Sequence, residues 1–314
     1  MLRALGLAAM VCAASSPCLA GNVLDRIRAE GVLRCGAAER DGVATSDDPA
    51  AGLAVDICRA LATAVLGPGA RIAFRLYEPG PGFDPVRAGE DDVAFLSADL
   101  VGEEGLAAAI VPGPTVFIER IALMVPESSA VHRLADLEGA GICFMIGGAG
   151  QAALEDASGR ARLSFTRFAF SEEVEMLDAY NARRCDAIAD EATTLARLAA
   201  TQTVNQRPSR ILDLSLATCA VFAATPTGDG AWSAAVAWAV DALVAAARPP
   251  SPWQGGARIS VPGLRSDWRR EMLGVVGSYQ AIWERNLGAG STLRLPPGPN
   301  APWPDGLLLR LGAE

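Results

Sequence analysis

Apolar positions along the chain form two kinds of segment that alternate, and each kind predicts one type of element. Short segments rich in β-branched and aromatic residues predict strands, because such side chains pack well on a pleated surface. Longer segments with apolar residues three and four positions apart, such as GLAVDICRALATAVL, predict helices. The predicted strands are RIAFRLY (71–77), DDVAFL (91–96), IALMVP (121–126), GICFMI (141–146), LSFTRFAF (163–170), DAIA (186–189) and CAVFAAT (219–225).

The two patterns alternate through most of the chain, which is typical of an α/β architecture. The centre looks like a second α/β unit inserted into a first, with IALMVP and CAVFAAT as the two crossings. We therefore predict two lobes joined by two hinge strands, with residues 21–123 and 222–314 in lobe 1 and residues 124–221 in lobe 2. A cleft between such lobes is the default place for a ligand. The Pro/Gly-rich tail LPPGPNAPWPDG (295–306) is expected to run extended over the surface.

The first twenty residues have the features of an export signal. Arg3 supplies a positive start, LGLAAMVCAA is a short apolar segment, and Cys18-Leu19-Ala20 places small residues at the cleavage positions. Residues 1–20 are expected to be removed, so that the mature chain begins near Gly21. The apolar segment 231–247 contains Asp241 and is shorter than the ~20 residues of a membrane span, so it is predicted to be a buried helix.

Four cysteines stand at paired positions in the mature chain. Cys35 ends a strand-like segment and Cys58 lies in a helix-like one, while Cys143 and Cys185 repeat the arrangement in the centre of the chain. Disulfides persist outside the cytoplasm, which suits an exported protein. The pairing 35–58 and 143–185 is a hypothesis, and buried unpaired thiols are the alternative. Cys219 would be left over, in an apolar strand.

Charge and composition argue against several functions. The formal net charge of −9 becomes −10 when Arg3 is removed, whereas a nucleic-acid-binding protein usually carries a basic patch. His132 is the only histidine, which leaves no Ser-His-Asp set and no His-rich metal site. The glycine-rich segment GGAGQ (147–151) lacks the spacing of nucleotide-binding loops. We predict no enzyme activity, no metal, no cofactor and no nucleic-acid partner.

Several segments together resemble the periplasmic substrate-binding proteins of polar amino acid ABC transporters, and in particular the general L-amino acid-binding branch. The resemblance covers nearly the whole mature chain, in the family's order and spacing. It is carried by LDRIRAEGVLRCG, GLAVDICRALATAVLG, VRAGEDDVAFLS, LADLEGAGICF, AYNARRCDAIADEATTLA and VVGSYQAIWERNLGAGSTLRL. It implies a bilobal type II periplasmic binding fold and a monomer that closes over a small solute. It also implies delivery to an inner-membrane ABC permease, and the four cysteines match the family's pattern.

The family's amino acid clamp is only partly present. A zwitterion leaving water needs an arginine for its carboxylate and an acid for its ammonium group. Glu103 or Glu104 stands where the carboxylate-binding arginine is expected, and Glu191, beside Asp190, corresponds to the ammonium-binding aspartate. Arg120 could supply the missing fork from another direction, although an exposed strand residue is the simpler interpretation.

Other family positions in the cleft have also changed. Ile146-Gly147-Gly148 replaces a Ser-Gly-Thr turn, so an anchoring hydroxyl is missing. Val43 replaces an aromatic residue in a loop about three residues shorter than usual. A strand-end hydroxyl is kept at Ser97. The predicted ligand-binding residues are therefore Val43, Ser97, Glu103, Glu104, Gly147, Gly148, Asp190 and Glu191.

Three functions are consistent with these changes. The first is solute binding for an ABC importer, with an amino acid or a related small solute, including a cationic one, as ligand. The second is a degenerate binding protein that acts as a periplasmic sensor or accessory factor through protein contacts. A cleft packed by Val43, Met145 and Ile146 would favour it. The third is a lyase or dehydratase with a cleft carboxylate as acid and base.

Overall fold

Ten strands among the described residues form one mixed sheet that runs through both halves of the molecule. The computed structural model describes residues 23–40, 42–45, 48, 50–77, 85, 88–98, 106–201, 207–247 and 260–309. The strands are β1 (Val32–Ala38), β2 (Arg71–Tyr77), β3 (Val93–Ser97), β4 (Ile110–Val111), β5 (Thr115–Pro126), β6 (Gly141–Met145), β7 (Thr166–Phe170), β8 (Ala187–Glu191), β9 (Ser209–Ile211) and β10 (Ala217–Pro226). Their order is β2-β1-β3-β10-β5-β8-β6-β7, with β4 paired to β10 and β9 paired to β5.

Helices cover the sheet, as the alternating pattern predicts. Those within the described ranges are α1 (Val23–Glu30), α2 (Leu53–Leu66), α3 (Leu106–Ala109), α4 (Ala149–Ala161), α5 (Glu173–Asn181), α6 (Ala192–Thr201), α7 (Gly230–Ala246), α8 (Trp268–Val276) and α9 (Tyr279–Asn286). Helix α7 is the apolar segment predicted to be buried, and its residues from Ala239 to Ala245 are all buried. Within the described part of the chain, no helix combines the length and the apolar character needed to cross a bilayer.

Strands β5 and β10 cross between the two halves of the molecule. They pair with each other antiparallel, and β10 also pairs with β3. Beyond that pairing β5 continues, so that residues 121–124 pair with β8 and residues 124–126 with β9. We call the half built on β1–β4 lobe 1 and the half built on β6–β9 lobe 2. Strands β5 and β10 contain the two crossing segments, IALMVP and CAVFAAT, that the sequence predicts.

Separate buried clusters support the two lobes. In lobe 1 the main cluster takes residues from both ends of the chain, including Leu33 on β1, Leu61 on α2 and Trp232 on α7. In lobe 2, alternate residues of β5 and β6 go to opposite faces of the sheet, as the strand period requires. Leu123 and Phe144 join one cluster there, and Met124 and Cys143 join the other.

One disulfide lies in each lobe. Cys35 on β1 is bonded to Cys58 on α2, with their Cα atoms 6.3 Å apart. Cys143 on β6 is bonded to Cys185 just before β8, with Cα atoms 5.8 Å apart. The structure thus contains the pairing that the sequence hypothesis proposed. The first bond fixes β1 to α2, and the second fixes β6 to the loop before β8.

The C-terminal tail differs from the surface strip expected from its composition. Asn300 is 3% exposed, accepts a hydrogen bond from the backbone N–H of Ile118 at 2.7 Å and donates one to the Ile118 carbonyl at 2.9 Å. Trp283 of α9 stacks on Phe117, with ring centroids 6.1 Å apart. The tail and α9 therefore lie against β5 where that strand leaves lobe 1. A side-chain amide can supply both a donor and an acceptor, which explains how one residue attaches the tail to a strand.

Candidate functional site

The candidate site lies where the carboxyl ends of the strands of the two lobes approach β5. Strands β1, β2 and β3 run parallel in lobe 1, and β6, β7 and β8 run parallel in lobe 2. Chain segments that leave the ends of β1 and β8 meet across this gap. Their meeting point is a cluster of charged side chains.

Arg40 stands at the centre of this cluster. Its Nη1 donates to Glu119 Oε2 at 2.9 Å and lies 2.7 Å from Glu191 Oε1. The side chain of Glu119 is 1% exposed, that of Arg40 13% and that of Glu191 27%. Arg40 follows β1 in lobe 1 and Glu191 ends β8 in lobe 2, so the guanidinium links the two lobes beside a crossing strand.

The sheet register places the two glutamates on one face. Glu191 on β8 is the cross-strand partner of Ile121 on β5, and Glu119 lies two residues before Ile121. Cross-strand partners share a face, as do residues two apart. Thr193, in the first turn of α6, donates its hydroxyl to Glu119 Oε2 at 2.7 Å. The backbone N–H of Arg120 donates to Glu119 Oε1 at 3.0 Å, so both oxygens of this buried acid are bonded.

A tight turn after β1 directs Arg40 towards these acids. The Arg40 N–H donates to the Ala44 carbonyl at 2.7 Å, and the N–H groups of Val43 and Ala44 both donate to the Arg40 carbonyl. Gly42 within the turn has φ +69° and packs against the C-terminal region. A Cβ at this position would lie 2.8 Å from Leu293 Cδ1 and 2.9 Å from the Asn286 carbonyl oxygen. The short loop is thus shaped by contact with distant parts of the chain.

Burial changes the acidity of the cluster. Burial raises the pKa of Glu119, partly offset by Arg40. Burial also raises the pKa of Asp190 to about 6, with the Glu191 N–H bond opposing the rise and the Glu191 charge adding to it. For Arg40, burial lowers the pKa, but Glu191 and Glu119 together outweigh burial and leave it above its ordinary value. The guanidinium is therefore charged at every physiological pH.

The residues predicted from the sequence are placed as follows. Glu191 lies in the cluster, whereas the side chain of Asp190, one residue earlier on β8, leaves the strand on the other face. The Glu191 N–H donates to Asp190 Oδ1 at 2.8 Å. Ser97 ends β3 and is 8% exposed, opposite Val221 on β10. Val43 is 3% exposed within the lobe 1 core, where its backbone helps to form the Arg40 turn. Glu103 and Glu104, like the predicted export signal 1–20, lie outside the described residues.

Gly147 and Gly148 form the turn between β6 and α4, at the lobe 2 side of the gap. The Gly147 N–H donates to Gln151 Oε1 at 2.9 Å, and Gly148 is the N-cap of α4. Gly150 allows the first turn of α4 to lie directly on β8, because a Cβ there would come 2.0 Å from the Ala189 carbonyl oxygen. Ile146 is 60% exposed. It does not fill the cleft in the way that a degenerate binding protein would require.

Arg120 does not supply the missing fork. Successive strand residues point to opposite faces, so its side chain leaves β5 away from that of Glu119. It lies 3.7 Å from Asp213 and lines a cavity of about 590 Å³ with residues of α6, β9 and the C-terminal region. At 11% exposure the side chain is also more buried than the exposed residue expected from the sequence.

Arg40, Glu119 and Thr193 were not predicted from the sequence. A carboxylate-binding arginine was expected only at the family's own position or near the first crossing. Glu119 did carry a signal, because an acid inside the apolar strand TVFIERIALMVP needs a charged or hydrogen-bonding partner when buried. Arg40 carried none, because its direction depends on how the short loop packs against the C-terminal region.

These features define a class of protein: two α/β lobes joined by crossing strands, with a polar site between them, as in bilobal type II periplasmic binding proteins. A solved ABC transporter periplasmic binding protein from Brucella ovis, with glutathione bound, has this architecture. It superposes with a TM-score of 0.70 at 24% identity over 91% of this chain and 97% of that one. An ancestral cationic amino acid solute-binding protein superposes with a TM-score of 0.58 at 14% identity, over 84% of this chain and 99% of that one.

Curated relatives extend the similarity over the whole sequence. The chain is 26% identical to the general L-amino acid-binding periplasmic protein AapJ of Rhizobium johnstonii, over 97% of this chain and 96% of that protein. It is also 26% identical to the glutamate/glutamine/aspartate/asparagine-binding protein BztA of Rhodobacter capsulatus, over 96% and 95%. No protein-family model matches the chain. The predicted resemblance to periplasmic binding proteins of amino acid ABC transporters is confirmed by these relatives, both of which are amino acid-binding proteins.

Proposed function

We propose that this protein is the periplasmic solute-binding component of an ABC importer and that it binds an amino acid or a related small solute between its lobes. The observation that carries the proposal is the charged cluster of Arg40, Glu119 and Glu191 beside the crossing strand. Such a cluster presents both signs of charge in a partly buried site, as recognition of a small polar solute requires. The full-length similarity to amino acid-binding periplasmic proteins supports the same function.

The mode of action follows from the two lobes. Residues 21–123 and 222–314 would form lobe 1 and residues 124–221 lobe 2, with β5 and β10 bending as the lobes close on solute. Residues 1–20 would direct export to the periplasm and be removed there. The closed monomer would then present its solute to an inner-membrane permease.

Ligand-dependent stabilisation tests this proposal. The mature, oxidised chain from Gly21 is melted alone and with each of the twenty L-amino acids, glutathione and spermidine, before and after unfolding and refolding to strip carried-over ligand. A solute present at 100 times its dissociation constant should add about 2.7 kcal/mol to the free energy of unfolding, enough for a clear rise in Tm. We expect a selective rise with one chemical group of solutes.

A pair of acid-to-amide variants locates the binding. Glu191→Gln should reduce the rise in Tm, because Glu191 lies in the cluster. Glu175→Gln alters an exposed acid of α5 and should leave the rise unchanged. A refolded wild-type protein that responds to no member of the panel would contradict the importer role and favour a protein-contact function.

A further inference from the structure

The acids in the cleft already have a cationic partner. Glu119 receives Arg40 and Thr193 on one oxygen and the Arg120 N–H on the other. Glu191 receives Arg40 on Oε1. A cationic solute would have to displace a guanidinium from two carboxylates or share them with it. The cluster is therefore poorly suited to a polyamine or another purely cationic ligand, although the acids alone favour one in the sequence.

The guanidinium itself retains binding capacity. Arginine has five N–H donors in a fixed plane. Within the described residues, the contacts of Arg40 with Glu119 and Glu191 both leave from Nη1. Two acceptors on one nitrogen fix the orientation of the whole plane, because the guanidinium is rigid. The edge formed by Nε and Nη2 has the geometry that binds a carboxylate through two parallel hydrogen bonds.

Arg40 is also in a position to reach a solute. Its side chain keeps 13% exposure, beside Glu191 at 27% exposure. It extends from lobe 1 to acids on β5 and β8, so a solute between the lobes would lie next to it. The exposed end of Glu191 lies within reach of a positive group on the same solute. Together the two side chains offer one charge of each sign.

We propose that Arg40 is the specificity-determining residue of the cleft and that it binds the carboxylate of the solute in place of the arginine missing near residue 103. The inference rests on the proposed solute-binding function and narrows it. The ligand is a carboxylate-bearing solute, zwitterionic or anionic, and not a polyamine. The buried Glu119 and the half-buried Glu191 then orient Arg40.

Matched ligand pairs test this assignment. Dissociation constants are measured by calorimetry for glutamate, glutamine, leucine and arginine, each beside the amino acid amide in which the α-carboxylate is neutral, and for spermidine. The wild-type protein should bind at least one acid about tenfold or more tightly than its amide, since a charge-assisted pair is at stake. Arg40→Met should raise the dissociation constant of that acid by about 10- to 100-fold and that of its amide by less than threefold.

Two further variants distinguish a loss of binding from a loss of folding. Arg40→Met leaves Glu119 buried without its arginine, so the double variant Arg40→Met/Glu119→Gln removes both charges and should show the same loss of discrimination. Arg120→Met removes a similarly buried arginine on the other face of β5 and should bind like wild type.

Each other outcome overturns the assignment in a recognisable way. If the wild-type protein binds amides or spermidine as tightly as acids, it is a solute receptor but Arg40 is not its carboxylate-binding group. If Arg40→Met binds acids more tightly, Arg40 is an internal occupant of the site. If refolded wild type binds nothing in either panel, the proposed function fails together with this inference.

Discussion

Glu119 and Glu191 of the cluster and the neighbouring Asp190 have different environments and therefore different roles. Glu119 is fully buried and fully hydrogen-bonded, Glu191 keeps an exposed end, and Asp190 beside it is partly buried. A buried acid with too few partners becomes easier to protonate, because burial penalises its charged form. At the residue scale, these acids therefore differ in their access to water, and Glu119 is the most buried of the three.

Asp190 should make stability depend on pH. Burial raises its pKa in the folded protein to about 6, above the ordinary 3.8. The stabilisation from the protonated form is fully present below the unfolded pKa and is lost as pH rises through the folded pKa. The side chain introduced by Asp190→Asn does not titrate, so this variant should not lose that stabilisation. Its free energy of unfolding, measured relative to that of wild type, should therefore increase by about 2–3 kcal/mol between pH 4 and 7.

Denaturant unfolding of both proteins at pH 4, 5, 6 and 7 measures this difference. The amide introduced by Asp190→Asn can still accept the Glu191 N–H, so the substitution keeps the local hydrogen bond. Asp213→Asn, at a fully exposed side chain, should follow the wild-type curve. Parallel curves for wild type and Asp190→Asn would mean that Asp190 ionises normally in the folded protein.

At the scale of elements, the chain shows clearly which features are local and which depend on distant contacts. Strand β2 and helix α2 follow from spacing, because their apolar residues recur at the period of the element that they form. Strands β3 and β6 follow from short, continuous apolar runs, which is the pattern of strands buried on both faces. The Arg40 turn does not, because Gly42 is shaped by Leu293 and Asn286, which lie far away in the sequence. The tail was predicted as a surface strip because its many prolines and glycines gave no sign that residues such as Leu295 and Asn300 are buried.

Gly42 should be among the least replaceable residues of the Arg40 turn. Gly42→Ala would place a Cβ within 2.9 Å of Leu293, Leu287 and the Asn286 carbonyl, in a left-handed backbone conformation with φ +69°. Strain and overpacking together should lower the free energy of unfolding by about 2–4 kcal/mol. Chemical denaturation measures the loss.

Gly89→Ala is the matched control. Gly89 has φ +70°, but a Cβ there meets nothing within 4 Å. The free energy of unfolding of this variant should therefore fall only by the cost of placing a Cβ on a left-handed backbone, about 1 kcal/mol. Equal losses in the two variants would show that the contacts of the turn with the C-terminal region contribute nothing.

At the scale of the whole molecule, the two lobes are built alike but stabilised separately. Each has its own buried clusters and its own disulfide, from β1 to α2 in lobe 1 and from β6 to the loop before β8 in lobe 2. The overall architecture was predictable because it rests on many redundant local signals and on segments in a familiar order. The charged cluster between the lobes was not, because it rests on single side chains brought together from β5, β8 and a short loop.

The disulfides should contribute to stability independently. The bond Cys35–Cys58 joins residues 23 positions apart and Cys143–Cys185 joins residues 42 positions apart. Replacing either pair by serine should lower the free energy of unfolding by about 2–5 kcal/mol, mainly by freeing the unfolded chain. Calorimetric melting of each double variant, and of the quadruple one, measures the losses. Cys219→Ser should change Tm far less, and an unchanged Tm in both double variants would contradict the prediction.

The stack of Trp283 on Phe117 has a consequence for observing this molecule. Phe117 belongs to a crossing strand, whereas Trp283 belongs to helix α9 of lobe 1. The indole N–H of Trp283 donates to the Leu295 carbonyl at 3.2 Å. Bending of β5 that moves Phe117 would alter the surroundings of this indole, because the two rings are in contact. The chain contains six tryptophans. With the other five replaced by phenylalanine, the emission of Trp283 would report movement of the crossing strand without an added label.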